Sequence, residues 1–240
     1  VRQEEAEVTK IALALNVAEP DKALEWLGRL GQSVDCYKLQ MDLFGRGGPG
    51  LVRSFVASGT DVFLDLKFHD IPSVVASAVR AAGELGVRFL TVHAAGGAKM
   101  MAEAARASLV FGDRRPLILG VTVLTSLDAV ELERVTGCRQ SVEERVLALA
   151  HLARESGCDG AVCSPREIGV VRQACGPDFC IVAPGIRLAS SLDDQARTMT
   201  PAEAARAGAD YIVVGRPIYD APDPLKAVAE IRAQLEGAHE

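Results

Sequence analysis

Eight short apolar runs of β character, each followed by a stretch of helical periodicity, constrain the fold of this 240-residue chain more than any other feature. The runs fall near residues 11–17, 34–39, 62–67, 89–93, 117–124, 160–163, 179–183 and 211–214. The helical patterns fall near 20–30, 50–57, 73–85, 98–108, 142–156, 165–174, 201–207 and 222–235. Runs of this kind, apolar throughout, suit a parallel sheet covered on both faces. Pro72-Ser73, Ser164-Pro165-Arg-Glu167 and Thr200-Pro201-Ala-Glu203 read as helix starts, and Gly86, Gly157 and Gly208 as helix stops before the next run. Eight β-then-α units with no linker between them predict an α/β protein: a (β/α)8 TIM barrel, one domain spanning 1–240. At 49% apolar residues the chain can bury such a core. The competing arrangement is an open doubly wound sheet, but no G-x-G-x-x-G follows the first run.

The polar residues indicate where chemistry would sit. Val62-Phe63-Leu64 leads directly into Asp65, Lys67 and Asp70. Strand alternation sends Asp65 and Lys67 to one face, bracketed by Leu64, Leu66 and Phe68, where desolvation is costly unless charges pair. A D-x-K-x-x-D of this kind suits a salt bridge at a strand end as well as a catalytic cluster. Position separates the two. Asn16, Lys38, Asp65, Lys67, His93, Thr125, Ser126, Arg187 and Arg216 all lie at or just past the carboxyl end of a predicted strand. In a barrel those ends share the face on which active sites are built.

The last two units predict an anion seat. Val213-Val214-Gly215-Arg216-Pro217 ends a strand in glycine, where backbone N–H groups can approach a ligand, and then offers a guanidinium. Pro184-Gly185-Ile186-Arg187 offers a second arginine at the neighbouring strand, and these two loops are the usual phosphate position in such barrels. Gln195 lies in a polar stretch, 188–198, long enough to fold over a ligand.

Other classes are disfavoured. A net charge of −6, a pI near 5.4 and the lack of any Lys/Arg block argue against a nucleic acid polymer as partner. There is no run of 18 apolar residues that would indicate a membrane span, and the first residues carry no signal-peptide apolar region. The six cysteines show no C-x-x-C, read as small buried thiols, and fit a cytoplasmic location. His69, His93 and His151 lack i, i+4 spacing and His239 is in the tail, so no metal site is expected.

Asp65-Leu-Lys-Phe-His-Asp-Ile-Pro72, Thr91-Val-His-Ala-Ala-Gly-Gly97, Val121-Thr-Val-Leu-Thr-Ser126, Pro184-Gly-Ile-Arg187 and Val213-Val-Gly-Arg-Pro-Ile218 together resemble the orotidine 5′-phosphate decarboxylase family, in its order and spacing from about Ile11 to Ile218. The resemblance implies a homodimeric barrel converting orotidine 5′-monophosphate to UMP without metal or organic cofactor. It implies an alternating charge network of Lys38, Asp65, Lys67 and Asp70, with Asp70 reaching the partner's active site and Lys67 giving the proton to C6. Thr125 or Ser126 would contact the pyrimidine, and Arg187, Gln195, Gly215 and Arg216 would hold the phosphate. Asn16, Ile71, Val74 and Pro184 fall at further substrate-binding positions.

The chain departs from the family pattern at several of these positions. Asn16 stands for an aspartate, which should leave Lys38 less well compensated. Val74 stands for a threonine, Ser73 for an asparagine and Gln40 for a frequent glycine, so a weakened but competent ribose site is expected. Two other functions remain open: a Mg2+-dependent sugar-phosphate decarboxylase or aldolase on the same barrel, and a catalytically impaired barrel that only binds a phosphate ligand.

Overall fold

A computed structural model describes residues 8–188 and 199–238. Its eight strands are β1 (Lys10–Ala14), β2 (Cys36–Gln40), β3 (Asp61–Phe68), β4 (Phe89–His93), β5 (Leu117–Val121), β6 (Gly160–Val162), β7 (Cys180–Pro184) and β8 (Tyr211–Val214). All neighbours pair in parallel, and β8 pairs back onto β1 to close the barrel. The closure excludes the open doubly wound sheet.

The connecting helices are α1 (Pro20–Leu30), α2 (Met41–Ala57), α3 (Pro72–Gly83), α4 (Ala98–Ser108), α5 (Ala129–Thr136), α6 (Val142–Glu155), α7 (Ile168–Cys175), α8 (Pro201–Arg206), α9 (Arg216–Tyr219) and α10 (Pro224–Glu236). The capping box at Thr200 forms, with its hydroxyl accepting from the Glu203 N–H and the Glu203 carboxylate accepting from the Thr200 N–H. Ser141 and Glu144 build a second box that opens α6.

Four elements differ most from the sequence expectation. The segment α2 holds two helical pieces that meet where Gly48 leaves the helical region (φ 56°, ψ −160°): the second runs from the expected start near 50, and the first, from Met41, is additional. Helix α5 occupies the loop after β5; Asp128 caps it by accepting from the N–H groups of Val130 and Glu131, but exposed Val130 and Val135 spoil its apolar stripe. Strands β1 and β5 stop at Ala14 and Val121, short of 17 and 124, as their chains turn into the mouth of the barrel.

Alternation along the strands sorts side chains into two cores. Ile11, Leu13, Leu39, Leu64 and Leu90 point outward under the helices. Ala12, Ala14, Cys36, Phe63, Phe89, Leu119, Val182, Tyr211 and Val213 fill the barrel interior. Phe89 sits edge-on between Phe63 and Tyr211, with ring centroids 5.8 and 4.9 Å away, and these rings floor the barrel. The barrel is narrow at β6: a Cβ on Gly160 would lie 2.1 Å from the Cys180 carbonyl oxygen. Among the described residues no helix is long and apolar enough to cross a membrane. All six cysteines are unpaired; Cys138 departs from expectation in being exposed.

Candidate active site

The inward phase of the strands carries the site above that aromatic floor. On β3 the inward series runs Phe63, Asp65, Lys67, so the residue after the packed ring is a carboxylate and the next an ammonium. On β2 the same phase places Lys38 above Cys36. These side chains enter one cavity of about 220 Å3, lined also by Gln40, Val121, Val123, Leu124, Thr125, Cys163, Pro184 and Val213. A larger opening of about 620 Å3 lies at the other end of the barrel; its Asp61, Glu84 and Asp113 balance Arg88, Arg114 and Arg115, and it holds none of the convergent charge seen here.

Asp65 is the centre of the cluster. One carboxylate oxygen, Oδ2, lies 3.0 Å from Lys38 Nζ and 2.8 Å from Lys67 Nζ. The other, Oδ1, accepts from the Thr91 hydroxyl at 2.9 Å. Burial alone would push the Asp65 carboxyl up, but Lys38 and Lys67 together outweigh it and hold the group below its usual value. The cluster is therefore a fixed carboxylate with two ammonium ions on one oxygen, and it carries net positive charge within the protomer.

Lys38 does not turn to Asn16, which is exposed. It donates to Gln40 Oε1 at 3.1 Å. The expected shortfall at Lys38 is thus met by one of the other departures: a neutral amide supplies the acceptor and leaves the ammonium charge in place.

Lys67 sits on irregular backbone. Between Leu64↔Leu90 and Phe68↔Val92 the register of β3 against β4 shifts, so β3 bulges over Asp65 to Lys67. Lys67 has φ 49°, the one positive φ of a non-glycine residue among the described residues. Its N–H donates to Thr91 Oγ1 at 2.8 Å. Beyond it His93 stacks on His69, ring centroids 5.3 Å apart. Burial pushes the His93 imidazole down, with His69 and Lys67 adding to the effect, so a neutral ring flanks the ammonium.

The remaining sequence-selected residues divide in two. Thr125 and Pro184 line the cavity, while Ser126 is exposed in the loop after β5. Arg187 is half-buried just past β7, and Gly215 and Arg216 cap and open α9 just past β8, on the same rim. Gln195, and with it most of the 188–198 stretch, lies outside the described residues. Asp70, Ile71 and Val74 are exposed and do not line the cavity; Asp70 Oδ1 accepts only the neighbouring Ile71 N–H, at 2.6 Å, among the described residues. Sequence reasoning assigned no role to Thr91, although a hydroxyl in phase with Phe89 and His93 inside an apolar run was the available signal.

A closed parallel barrel with lysines and a carboxylate converging at its carboxyl mouth, beside two arginines after β7 and β8, belongs to the class of (β/α)8 enzymes. A sequence model described as "Orotidine 5'-phosphate decarboxylase / HUMPS family" matches residues 9–231, and the chain belongs to that family. It is 51% identical over 221 residues to the orotidine 5′-phosphate decarboxylase of Pelobacter propionicus, covering 91% of this chain and 92% of the relative. It is 48% identical over 232 residues to the enzyme of the same name from Moorella thermoacetica, covering 95% and 92%. Among solved structures, orotidine 5′-phosphate decarboxylase from Lactobacillus acidophilus superposes with a TM-score of 0.85 at 36% identity, over 95% of this chain and 99% of that one.

Proposed function

We propose that this chain is a carboxy-lyase that decarboxylates orotidine 5′-monophosphate to UMP in pyrimidine biosynthesis, without a metal or organic cofactor. The observation that carries the reading is the pair of ammonium ions held on one buried Asp65 oxygen at the mouth of a family-matched barrel. Loss of CO2 from C6 leaves a carbanion in the plane of the ring with little delocalisation. An ammonium fixed beside C6 stabilises that charge as it forms: at an effective dielectric near 20, a unit charge about 4 Å away contributes about 4 kcal/mol, close to a thousandfold in rate. Lys67 is in this role the stabilising cation and then the proton donor. Asp65 orients both lysines, and its contact with the substrate carboxylate is relieved as CO2 departs. Arg187, Arg216 and the Gly215 backbone hold the phosphate, together with Gln195; Thr125 and Ser126 meet the pyrimidine, and Asn16, Ile71, Val74 and Pro184 complete the substrate surface. Binding energy from the remote phosphate then aligns the reacting end.

The test is the loss of orotidine 5′-monophosphate absorbance in EDTA and again with Mg2+. Turnover undiminished by EDTA is the expected result. A strict need for Mg2+ would instead favour the sugar-phosphate chemistry, and no turnover in either buffer despite UMP binding would leave a ligand-binding barrel.

The working unit in this reading is a homodimer in the cytoplasm. Unpaired cysteines fit a reducing compartment. Asp70 is offered outward beside exposed Ile71 and Val74, 62% and 47% accessible, as befits a carboxylate reaching a partner's site across an apolar contact. Co-expressed Asp70→Ala and Lys67→Ala chains, each inactive alone, should recover about a quarter of parental activity, since half of random dimers then carry one intact site of two. Mixed dimers without recovery would rule out sharing of Asp70.

A further inference from the structure

The bulge that carries the reacting lysine needs something to hold it, and the side chain facing it is Thr91. Thr91 lies on β4 between the two residues, Leu90 and Val92, that pair with β3 on either side of the irregularity. Where the register slips, the Lys67 N–H is supplied with an acceptor by a side chain: Thr91 Oγ1, at 2.8 Å. The same hydroxyl spends its one proton on Asp65 Oδ1, at 2.9 Å. Thr91 is fully buried, so no water can stand in for either bond. Lys67 meanwhile holds φ 49°, a conformation an L side chain adopts only when its surroundings fix it.

We infer that Thr91 is a positioning residue for the decarboxylation: it couples the direction of the Asp65 carboxylate to the left-handed backbone of Lys67, so that the ammonium is aimed before substrate arrives. The inference rests on the decarboxylase reading for its kinetic consequence, but not for its structural one. Thr91 does not itself line the cavity but bonds to Asp65 and Lys67, which do, so it acts on their alignment and leaves phosphate binding alone. Two hydrogen bonds converge on one hydroxyl, and valine, with the same shape and no hydroxyl, removes both.

The experiment compares the parent with Thr91→Val, Thr91→Ser and Thr91→Ala in three readouts. Misalignment on the scale of an ångström costs up to about a hundredfold, so Thr91→Val is expected to lower kcat by about ten- to a hundredfold, with UMP affinity within about threefold of the parent. Thr91→Ser, which keeps the hydroxyl, should return kcat to within about threefold, whereas the similarly small Thr91→Ala should not. Amide hydrogen exchange at Lys67 should be protected in the parent and Thr91→Ser, and unprotected in the other two. Should Thr91→Val fail to fold, the Ser and Ala pair decides. Equal kcat for Ser and Ala, or a Lys67 amide equally protected in all variants, overturns the inference. A parent with no turnover overturns the decarboxylase reading instead, and the exchange measurement still decides whether Thr91 holds the bulge.

Discussion

Lys67→Ala should lower kcat for orotidine 5′-monophosphate by about five orders of magnitude, combining loss of the cation beside C6 with loss of the proton donor. UMP affinity should stay within about tenfold of the parent, because in the proposed site the product is held chiefly at its phosphate. The measurement is single-turnover decay of substrate absorbance beside calorimetric titration with UMP. Lys67 is 28% accessible and anchored at one oxygen, so its removal opens no core cavity and the fold should persist. A variant retaining a tenth of parental kcat would remove Lys67 from the centre of the mechanism.

Asp65→Ala should cost both activity and stability. Lys38 Nζ and Lys67 Nζ approach the same Asp65 oxygen at 3.0 and 2.8 Å, so without the carboxylate two ammonium ions face each other across a part-buried site. Removing one member of a buried charge cluster costs about 3–5 kcal/mol; the partial exposure of Lys67 points to the lower end, a fall in Tm of about 6–12 °C for a domain of this size. The isosteric Asp65→Asn keeps a partner for Thr91 and isolates the charge. Because the folded carboxyl is held below its unfolded value, Asp65 contributes its stability above the ordinary carboxylate range and loses it as pH falls through the folded value. The parent's melting temperature should therefore decline faster than that of Asp65→Asn on acidification. Parallel acid slopes would mean that the carboxylate is not ionically paired in solution.

How far the sequence reached depends on which property carried the signal. The barrel was legible because a parallel sheet leaves uninterrupted apolar runs, and because strand phase has a period of two: Phe63 and Asp65 share a face, and Lys67 reaches the same cavity although the strand bulges there. Helix α5 was hidden because it packs weakly and exposes Val130 and Val135, which removes the periodicity on which detection depends. The first piece of α2 was masked by glycines of low helix propensity, the last of which, Gly48, interrupts the helix. At the site, the charged residues declared themselves by type and place. The partner of Lys38 did not, since choosing Gln40 over Asn16 depends on where two side chains meet in space. The bulge at Lys67 was equally silent, because a register slip is a relation between two strands and neither strand's sequence records it.

The edge-to-face rings of Phe63, Phe89 and Tyr211 give the barrel a blind end. Traffic is then one-way in, one-way out through a single door: substrate, carbon dioxide and UMP all share the mouth beside Arg187 and Arg216. In the proposed reaction the hydrogen that replaces the lost carboxylate therefore comes from the mouth side, where Lys67 stands above the floor. Under this traffic rule fresh substrate must wait until UMP has vacated the doorway.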